Sequence, residues 1–136
     1  IDNKDKFLMI DLLTWMHQNK VDYTNTFCHL MILKEYDNKI YEDNNFQNWK
    51  KNWQERLKLN TNNPEKYIKL MKSVNPLVIP RNHIVEKSLE EAYDNNFEPF
   101  NNLLEILKKP YTRQKNTSDY LKMDSSSKEY KTFCGT

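Results

Sequence analysis

A single glycine constrains this chain more than any other feature of its sequence. Among 136 residues the only glycine is Gly135, the last residue but one. Loops that hold nucleotide phosphates on their backbone need glycine at several positions, because the chain there adopts positive φ or lies directly against the ligand. The sequence therefore contains no P-loop, no kinase glycine loop and no dinucleotide-binding fingerprint.

The charge and hydropathy of the sequence limit the kinds of partner that the chain is expected to bind. The chain carries 21 Lys and Arg against 19 Asp and Glu, which gives a net charge of +2, and the two signs are interspersed. A field of one sign, which would attract nucleic acid or a membrane surface, is not expected from this pattern. No apolar run approaches the roughly 18 residues that cross a bilayer, and the N-terminal segment lacks a signal-peptide layout. We expect a cytoplasmic chain, cut from a longer protein, without nucleic-acid or membrane partners.

Apolar residues at spacings of three and four predict about six helices. The expected helices run from Asp5 to Asn19, from about Tyr23 to Glu35, from Phe46 to near Leu59, from Pro64 through Val74, after Pro80 through Ala92, and through Phe100 to Leu107. In the fourth helix the residues expected to face inward are Tyr67, Leu70, Met71 and Val74. Residues 75–80 contain Pro76 and Pro80, and each proline disfavours helix at the preceding position, so we expect this segment to be extended and buried.

The fold class follows from these helices and from the lack of an alternating strand pattern. We predict an all-α orthogonal bundle in one compact unit, with a helical region over residues 1–110 and an irregular tail over residues 111–136. The aromatic residues alternate with lysines and could stack on bases, but their helical spacing is already explained by core packing. These residues are Tyr36, Tyr41, Phe46, Trp49 and Trp53.

Histidines and cysteines form no metal-ligand pattern. The three imidazoles, His17, His29 and His83, are not spaced to place two ligands on one helix face. Cys28 adjoins His29, but neighbouring helical residues point about 100° apart, so we do not expect them to share a metal. Cys134 lies more than a hundred positions from Cys28, which excludes a CxxC pair and allows one bridge at most.

The other candidate residues have an ordinary structural interpretation beside a chemical one. Arg81 and His83 are residue types that handle phosphates, but a capped helix start explains them better. The carboxylates considered as an acid–base pair are expected on solvent faces; they are Glu35, Asp37, Glu90 and Glu91. The thiol of Cys134, near the end of the chain, is either exposed and reactive or a small residue tucked under the tail.

Two long motifs resemble the C-terminal part of the selenoprotein O family, also called YdiU. Residues 71–111 contain NP-x-V-x-PRNH, then a helix, then LLE-x-L-x-x-PY, and the chain ends in FCGT. Residues 7–27 and the tryptophan pair in NWKKNWQERL are also similar to the family. The resemblance covers essentially the whole chain.

The resemblance implies the C-terminal part of a kinase-like (pseudokinase) fold, in an enzyme that moves AMP from ATP to hydroxyl side chains of proteins with Mg or Mn. The ATP-gripping and metal-binding residues of the family belong to N-terminal motifs that are not found here, so no catalytic, cofactor-binding or metal residue is carried over. The implied partners are the N-terminal catalytic part of the same protein and the protein substrates. Only Cys134 is carried over, because the family often bears Sec or Cys third from the end, thought to pair reversibly with a cysteine of the catalytic part.

Two functions from different classes therefore stand. The first is the helical C-terminal region of a protein adenylyltransferase, inert by itself, with Cys134 as a redox thiol. The second is a free-standing helical interaction module without an enzyme. An upstream coding stretch with kinase-like metal motifs would favour the first, and a start codon just before Ile1 would favour the second.

Overall fold

The computed structural model describes residues 3–31, 33, 36–61 and 63–122. Within these ranges the chain is all-helical, with six α-helices and no strand. The predicted all-α class and the predicted number of helices are confirmed. The helices divide into two compact units, residues 1–77 and residues 78–136. The length alone led us to expect one unit.

The first unit contains four of the α-helices. They are α1 (Asn3–Gln18), α2 (Tyr23–Leu30), α3 (Asn44–Lys58) and α4 (Pro64–Val74), with a 3-10 helix at Lys39–Glu42 before α3. Asp22 and Asn63 cap α2 and α4, because their side chains accept the N–H groups of Asn25 and Glu65. Asp and Asn are both favoured at this position.

Helix α2 is shorter than predicted. It was expected to reach Glu35, which lies outside the described residues, but it ends at Leu30 with Met31 as its C-cap. Six residues later the hydroxyl of Tyr36 donates to the carbonyl oxygen of Leu77 at 2.8 Å, and both side chains are buried. The chain therefore leaves the helix early because burying Tyr36 against residue 77 outweighs local helix propensity.

The core of the first unit consists of aromatic and aliphatic side chains from α1, α2, α3 and the 3-10 helix. Its buried members are Leu12, Trp15, Met16, Leu30, Tyr41, Phe46 and Trp49. The carboxylate of Asp43 joins two of these elements, because it caps α3 at the N–H of Phe46 (3.0 Å) and accepts the indole N–H of Trp15 (2.8 Å). These two hydrogen bonds hold the pKa of Asp43 below its ordinary value.

The segment after α4 is not helical, as the two prolines predicted. Asn75 ends the helix in an extended conformation. The thiol of Cys28 donates to the carbonyl oxygen of Pro76 at 3.5 Å, and Leu77 accepts the Tyr36 hydroxyl. These two bonds fasten residues 76 and 77 to the body of the first unit.

The second unit contains α5 (Asn82–Tyr93), α6 (Glu98–Leu107) and a 3-10 helix at Thr117–Tyr120. Its buried residues include Ser88, Leu103, Ile106 and Thr117. The side-chain amide of Gln114 donates to the carbonyl oxygen of Ile106 at 2.8 Å, which satisfies an acceptor at the end of α6. Residues 111–122 therefore pack back on α6 without forming a further α-helix.

Two helices end in left-handed turns that glycine usually occupies. After α1, Lys20 has a φ of 52°, with Val21 donating to Met16 and Lys20 donating to His17. After α5, Asn95 has a φ of 65°, with Asn96 donating to Glu91 and Asn95 donating to Ala92. Both ends are Schellman motifs, in which the left-handed position is filled without glycine.

Candidate functional site

Helix α1 carries large apolar side chains on every side. Leu12, Trp15 and Met16 are buried in the core, whereas Phe7 is 66% exposed and Ile10 is 46% exposed. A helix that is apolar all round is usually covered on more than one face. Sequence analysis missed this property, although its signal was the apolar residues at positions 7–10, 12 and 13, which only Asp11 interrupts.

An apolar groove opens between α1 and α4. Its volume is about 420 Å³, and its lining residues come from all four helices of the first unit. The exposed side chains along its rim are Met9, Leu13, Tyr23, Leu70 and Val74. The floor includes Leu8, Phe27, Leu30, Trp49, Trp53 and Met71. We call this feature the α1–α4 groove.

The groove corrects one prediction from the sequence. Leu70 and Val74 were expected to face inward, but they are 63% and 60% exposed. Helical spacing identifies the residues that share one face, and Tyr67, Leu70, Met71 and Val74 do line the same groove. Spacing cannot reveal whether that face is covered, because the cover would come from outside the helix.

Stacked aromatic rings form part of the groove floor. The rings of Trp49 and Trp53 lie 5.8 Å apart with planes within 9° of parallel, and Tyr67 meets Trp53 edge-on at 5.9 Å. Core packing of the aromatic stripe is confirmed for Tyr36, Tyr41, Phe46 and Trp49, which are all buried. Trp53 is only partly buried, because it reaches into the groove.

His29 takes part in a polar cluster beside the core. Its Nδ1 lies 3.0 Å from the carboxylate of Asp37, and its ring stacks on Tyr41 at 4.0 Å. Its Nε2 is buried and has no hydrogen-bond partner in the described part of the chain. Burial and the positive charge of Lys50 lower the pKa of His29, and the bond to Asp37 opposes them in part.

This geometry fits a neutral imidazole that packs instead of reacting. The Nδ1–H donates to Asp37, so the proton that would make His29 cationic has to sit on Nε2, where no acceptor lies in the described residues. Because Nε2 is also shielded from solvent, a substrate cannot reach it. His29 is therefore part of the framework of the first unit.

The remaining candidate residues are not brought together. Cys28 is buried and bonds to Pro76, whereas its neighbour His29 bonds to Asp37. Cys134 lies outside the described residues, so its role stays a prediction. Among the described residues, no three or more His, Cys, Asp or Glu are grouped as metal ligands. No helix in those same ranges has the length and hydropathy to span a bilayer.

The start of α5 differs from the expectation. Arg81 does not cap the helix through its side chain, and its Nε donates to the carbonyl oxygen of Tyr120 at 3.2 Å. His83 is half-buried and Glu90 is exposed. Glu91 accepts from the side chain of Asn96 at 2.9 Å. The expected side-chain cap is not found at Arg81, because a guanidinium group carries only donors and cannot accept a backbone N–H.

Comparison with known proteins defines the class. Residues 1–108 match the family described as protein adenylyltransferase SelO. A protein nucleotidyltransferase YdiU from Pelagibacter ubique is 40% identical over 136 residues, which is 99% of this chain and 28% of the relative. Proteins of the same name from Clostridium perfringens and Clostridium botulinum are 41% and 42% identical, over 97% and 98% of this chain.

These matches concern proteins that are named nucleotidyltransferases. The chain belongs to the SelO family. It spans about 27–28% of the length of the curated relatives that it matches. Most of each relative therefore lies outside the region described above.

Proposed function

We propose that this chain is the helical C-terminal region of a SelO-type protein adenylyltransferase. The match over residues 1–108 is the observation that carries the proposal. The exposed apolar side chains of α1 support it, because a helix of this kind is suited to burial within a larger protein. The whole enzyme would act in the cytoplasm on protein substrates.

The reaction of the whole enzyme would transfer AMP from ATP to a protein hydroxyl group. The hydroxyl oxygen attacks the α-phosphorus and its proton is released to solvent, the bond between the α-phosphorus and the oxygen that bridges to the β-phosphorus breaks, and pyrophosphate leaves. Such transfer depends on cations, Mg or Mn included, that neutralise the phosphates and hold them in line. We assign ATP and metal binding to the N-terminal catalytic part of the protein, since the sequence here contains no glycine loop. The present chain would support that part and would be inert alone.

A chimaeric enzyme tests this assignment. In it, the present chain replaces the matching segment of the Pelagibacter ubique relative. With ATP labelled at the α-phosphate and Mg or Mn, we expect label on protein for the chimaera and none for the isolated chain. ATP labelled at the γ-phosphate is the control, because adenylyl transfer releases that phosphate. Self-labelling of the isolated chain, or an unlabelled chimaera beside an active relative, would contradict the proposal.

We further propose a redox role for Cys134. Thiol reactivity follows access and thiolate fraction, and Lys128 and Lys131 precede this cysteine closely in the sequence. Cys28 is the natural internal control, because it is fully buried and its thiol bonds to Pro76. Timed alkylation of the folded chain with peptide mass spectrometry should label Cys134 well before Cys28. Faster labelling of Cys28 would remove the redox role.

A free-standing interaction module is the second candidate. The observation that favours it is the open α1–α4 groove, which would suit a separate partner protein equally well. The reading frame upstream of Ile1 separates the two candidates. Kinase-like metal motifs in that frame support the enzyme, and a start codon directly before Ile1 supports the module.

A further inference from the structure

We propose that the α1–α4 groove binds an amphipathic helix with acidic flanks, supplied by the remainder of the same SelO protein. This inference rests on the proposed function and adds the surface and the chemistry of the contact. It concerns one face of the first unit, between the exposed side chains of Met9 and Leu13 on α1 and those of Leu70 and Val74 on α4.

The shape of the groove favours a helix over a small molecule. Pockets for small ligands usually bury about 70–90% of the surface of the ligand, and they therefore close around it. Here Met9, Leu70 and Val74 on the two rims are each more than half exposed. A helix laid along such an open groove inserts side chains spaced by three and four residues between the rims. The apolar floor, with Trp53 partly open to it, would receive those side chains.

Lysines along the rims of the groove determine which charges the bound helix should carry beside its apolar stripe. Lys6 precedes Met9 by three positions on α1, and Lys66 precedes Leu70 by four on α4, so each lysine lies beside the rim of its helix. Asp5 precedes Met9 by four positions, but its carboxylate is paired with Arg56 at 2.6 Å. Lys20 lines the pocket that continues past Leu13 and Tyr23. All three lysines are exposed. Acidic residues beside the apolar stripe of the occupant would complement these charges.

Basic rims disfavour α1 of a second copy as the occupant. That helix carries Lys6 beside Met9, so lysine would face lysine, and like charges across an interface are costly. Helix α6 also exposes the apolar side chains of Phe100 and Leu104 and carries Glu98 and Glu105, so a second copy that offers α6 is an outcome of the test below. The remainder of the SelO protein is the better source, since this chain spans about 28% of the length of its relatives.

Cysteine reporters in the chimaeric enzyme test the contact. Leu70→Cys places a thiol on the groove rim, and Lys51→Cys places a control thiol on the exposed side of α3. Each variant is alkylated both in the isolated chain and in the chimaera with the Pelagibacter ubique relative. We expect the Leu70→Cys thiol to react at least about tenfold more slowly in the chimaera, because access limits the reaction. The Lys51→Cys thiol should react at the same rate in both.

A pair of charge reversals tests the acidic flanks. Lys6→Glu with Lys66→Glu should restore much of the alkylation rate of the Leu70→Cys thiol in the chimaera. Lys51→Glu with Lys58→Glu, two exposed positions on α3, is the matched control and should leave the rate unchanged. If the two pairs of charge reversals change the alkylation rate equally, the occupant does not have the acidic flanks that we propose.

Other outcomes separate this inference from the proposed function. An unprotected Leu70→Cys thiol in a chimaera that transfers AMP would overturn the contact and leave the function standing. A protected thiol in a chimaera that does not transfer AMP would overturn the proposed function and leave the contact standing. Protection in the isolated chain that grows with its concentration would identify a second copy as the occupant and overturn the inference. If the chimaera does not fold, the same substitutions at the aligned positions of the Pelagibacter ubique protein give the same readings.

Discussion

Trp49 and Trp53 lie one turn apart on α3, yet they differ in exposure. Trp49 is 9% exposed and its indole N–H donates to the carbonyl oxygen of Leu8 at 2.8 Å. Trp49→Ala should therefore lower the free energy of unfolding by about 3–5 kcal/mol. Trp53 is partly buried at the groove, so Trp53→Ala should cost roughly half as much. Urea unfolding of both variants measures the difference, and a cost below about 1 kcal/mol for Trp49→Ala would contradict the core that we describe.

The lowered pKa of His29 predicts a pH dependence of stability. In the unfolded chain the pKa returns to its ordinary value of 6.5, so between the lowered pKa and 6.5 the unfolded chain binds more protons. This contribution is fully present above pH 6.5 and is lost as the pH falls toward the folded-state pKa. His29→Phe keeps a ring on Tyr41 and removes the titration. The free energy of unfolding of the variant should change less between pH 7 and pH 5, and parallel profiles would rule out His29 as the source.

At the residue level, burial was more predictable than pairing. The positions on the core faces of α1 and α3 could be read from spacing, and Leu12, Trp15 and Trp49 are buried as expected. The bonds of His29 to Asp37 and of Arg81 to Tyr120 join residues that no helical period relates. Such pairs depend on the path of the chain between helices, which a single sequence does not specify.

At the level of elements, five of the six helix ends lie within one residue of the prediction, and the end of α2 is the exception. Pro64 is a local signal that marks the start of α4 as predicted, and the side chains of Asp22 and Asn63 cap α2 and α4. The end of α2 depends on a contact between Tyr36 and Leu77, which are 41 positions apart. Local signals are short-range, so an end fixed by a distant contact could not be predicted from them.

The end of α1 offers a way to stabilise the chain. Lys20 occupies the left-handed position of a Schellman motif, where a residue with a side chain costs roughly 1–2 kcal/mol relative to glycine. Lys20→Gly should raise the free energy of unfolding by about 1 kcal/mol, because part of this cost is relieved. Asn95→Gly is the matched control and should gain less, since asparagine tolerates this conformation. Equal gains in urea unfolding would show that side-chain strain is not the cause.

At the level of the whole molecule, the division into two units was not predicted. The apolar stripes of six helices are consistent with one core or with two, because a stripe of apolar residues does not specify which helix it packs against. The buried core cluster of the first unit is formed by residues between Leu12 and Trp49. The Cys28 thiol and the Tyr36 hydroxyl donate to the carbonyl oxygens of residues 76 and 77, which belong to the same unit. The first unit therefore has a buried core of its own.

A fragment of residues 1–77 should fold without the second unit. We expect a helical circular dichroism spectrum and cooperative urea unfolding, with a stability of only a few kcal/mol because domains of about this size bury little surface. A fragment of residues 1–63 is the control, since it lacks α4 and the acceptor of the Tyr36 hydroxyl. This control fragment should unfold at a lower urea concentration than the fragment of residues 1–77. A fragment 1–77 without a cooperative transition would refute the independence of the first unit.

The apolar surface of α1 has a consequence for how this chain tolerates mutation. In the isolated chain, polar substitutions at Phe7 and Ile10 remove exposed apolar area and should raise solubility at little cost in folding. Where a larger protein covers the same face, those substitutions leave polar groups without hydrogen-bond partners and should be selected against. The same two positions would therefore be permissive in one setting and restrictive in the other. Substitution tolerance scored in both settings would map the buried sides of α1 without a second structure.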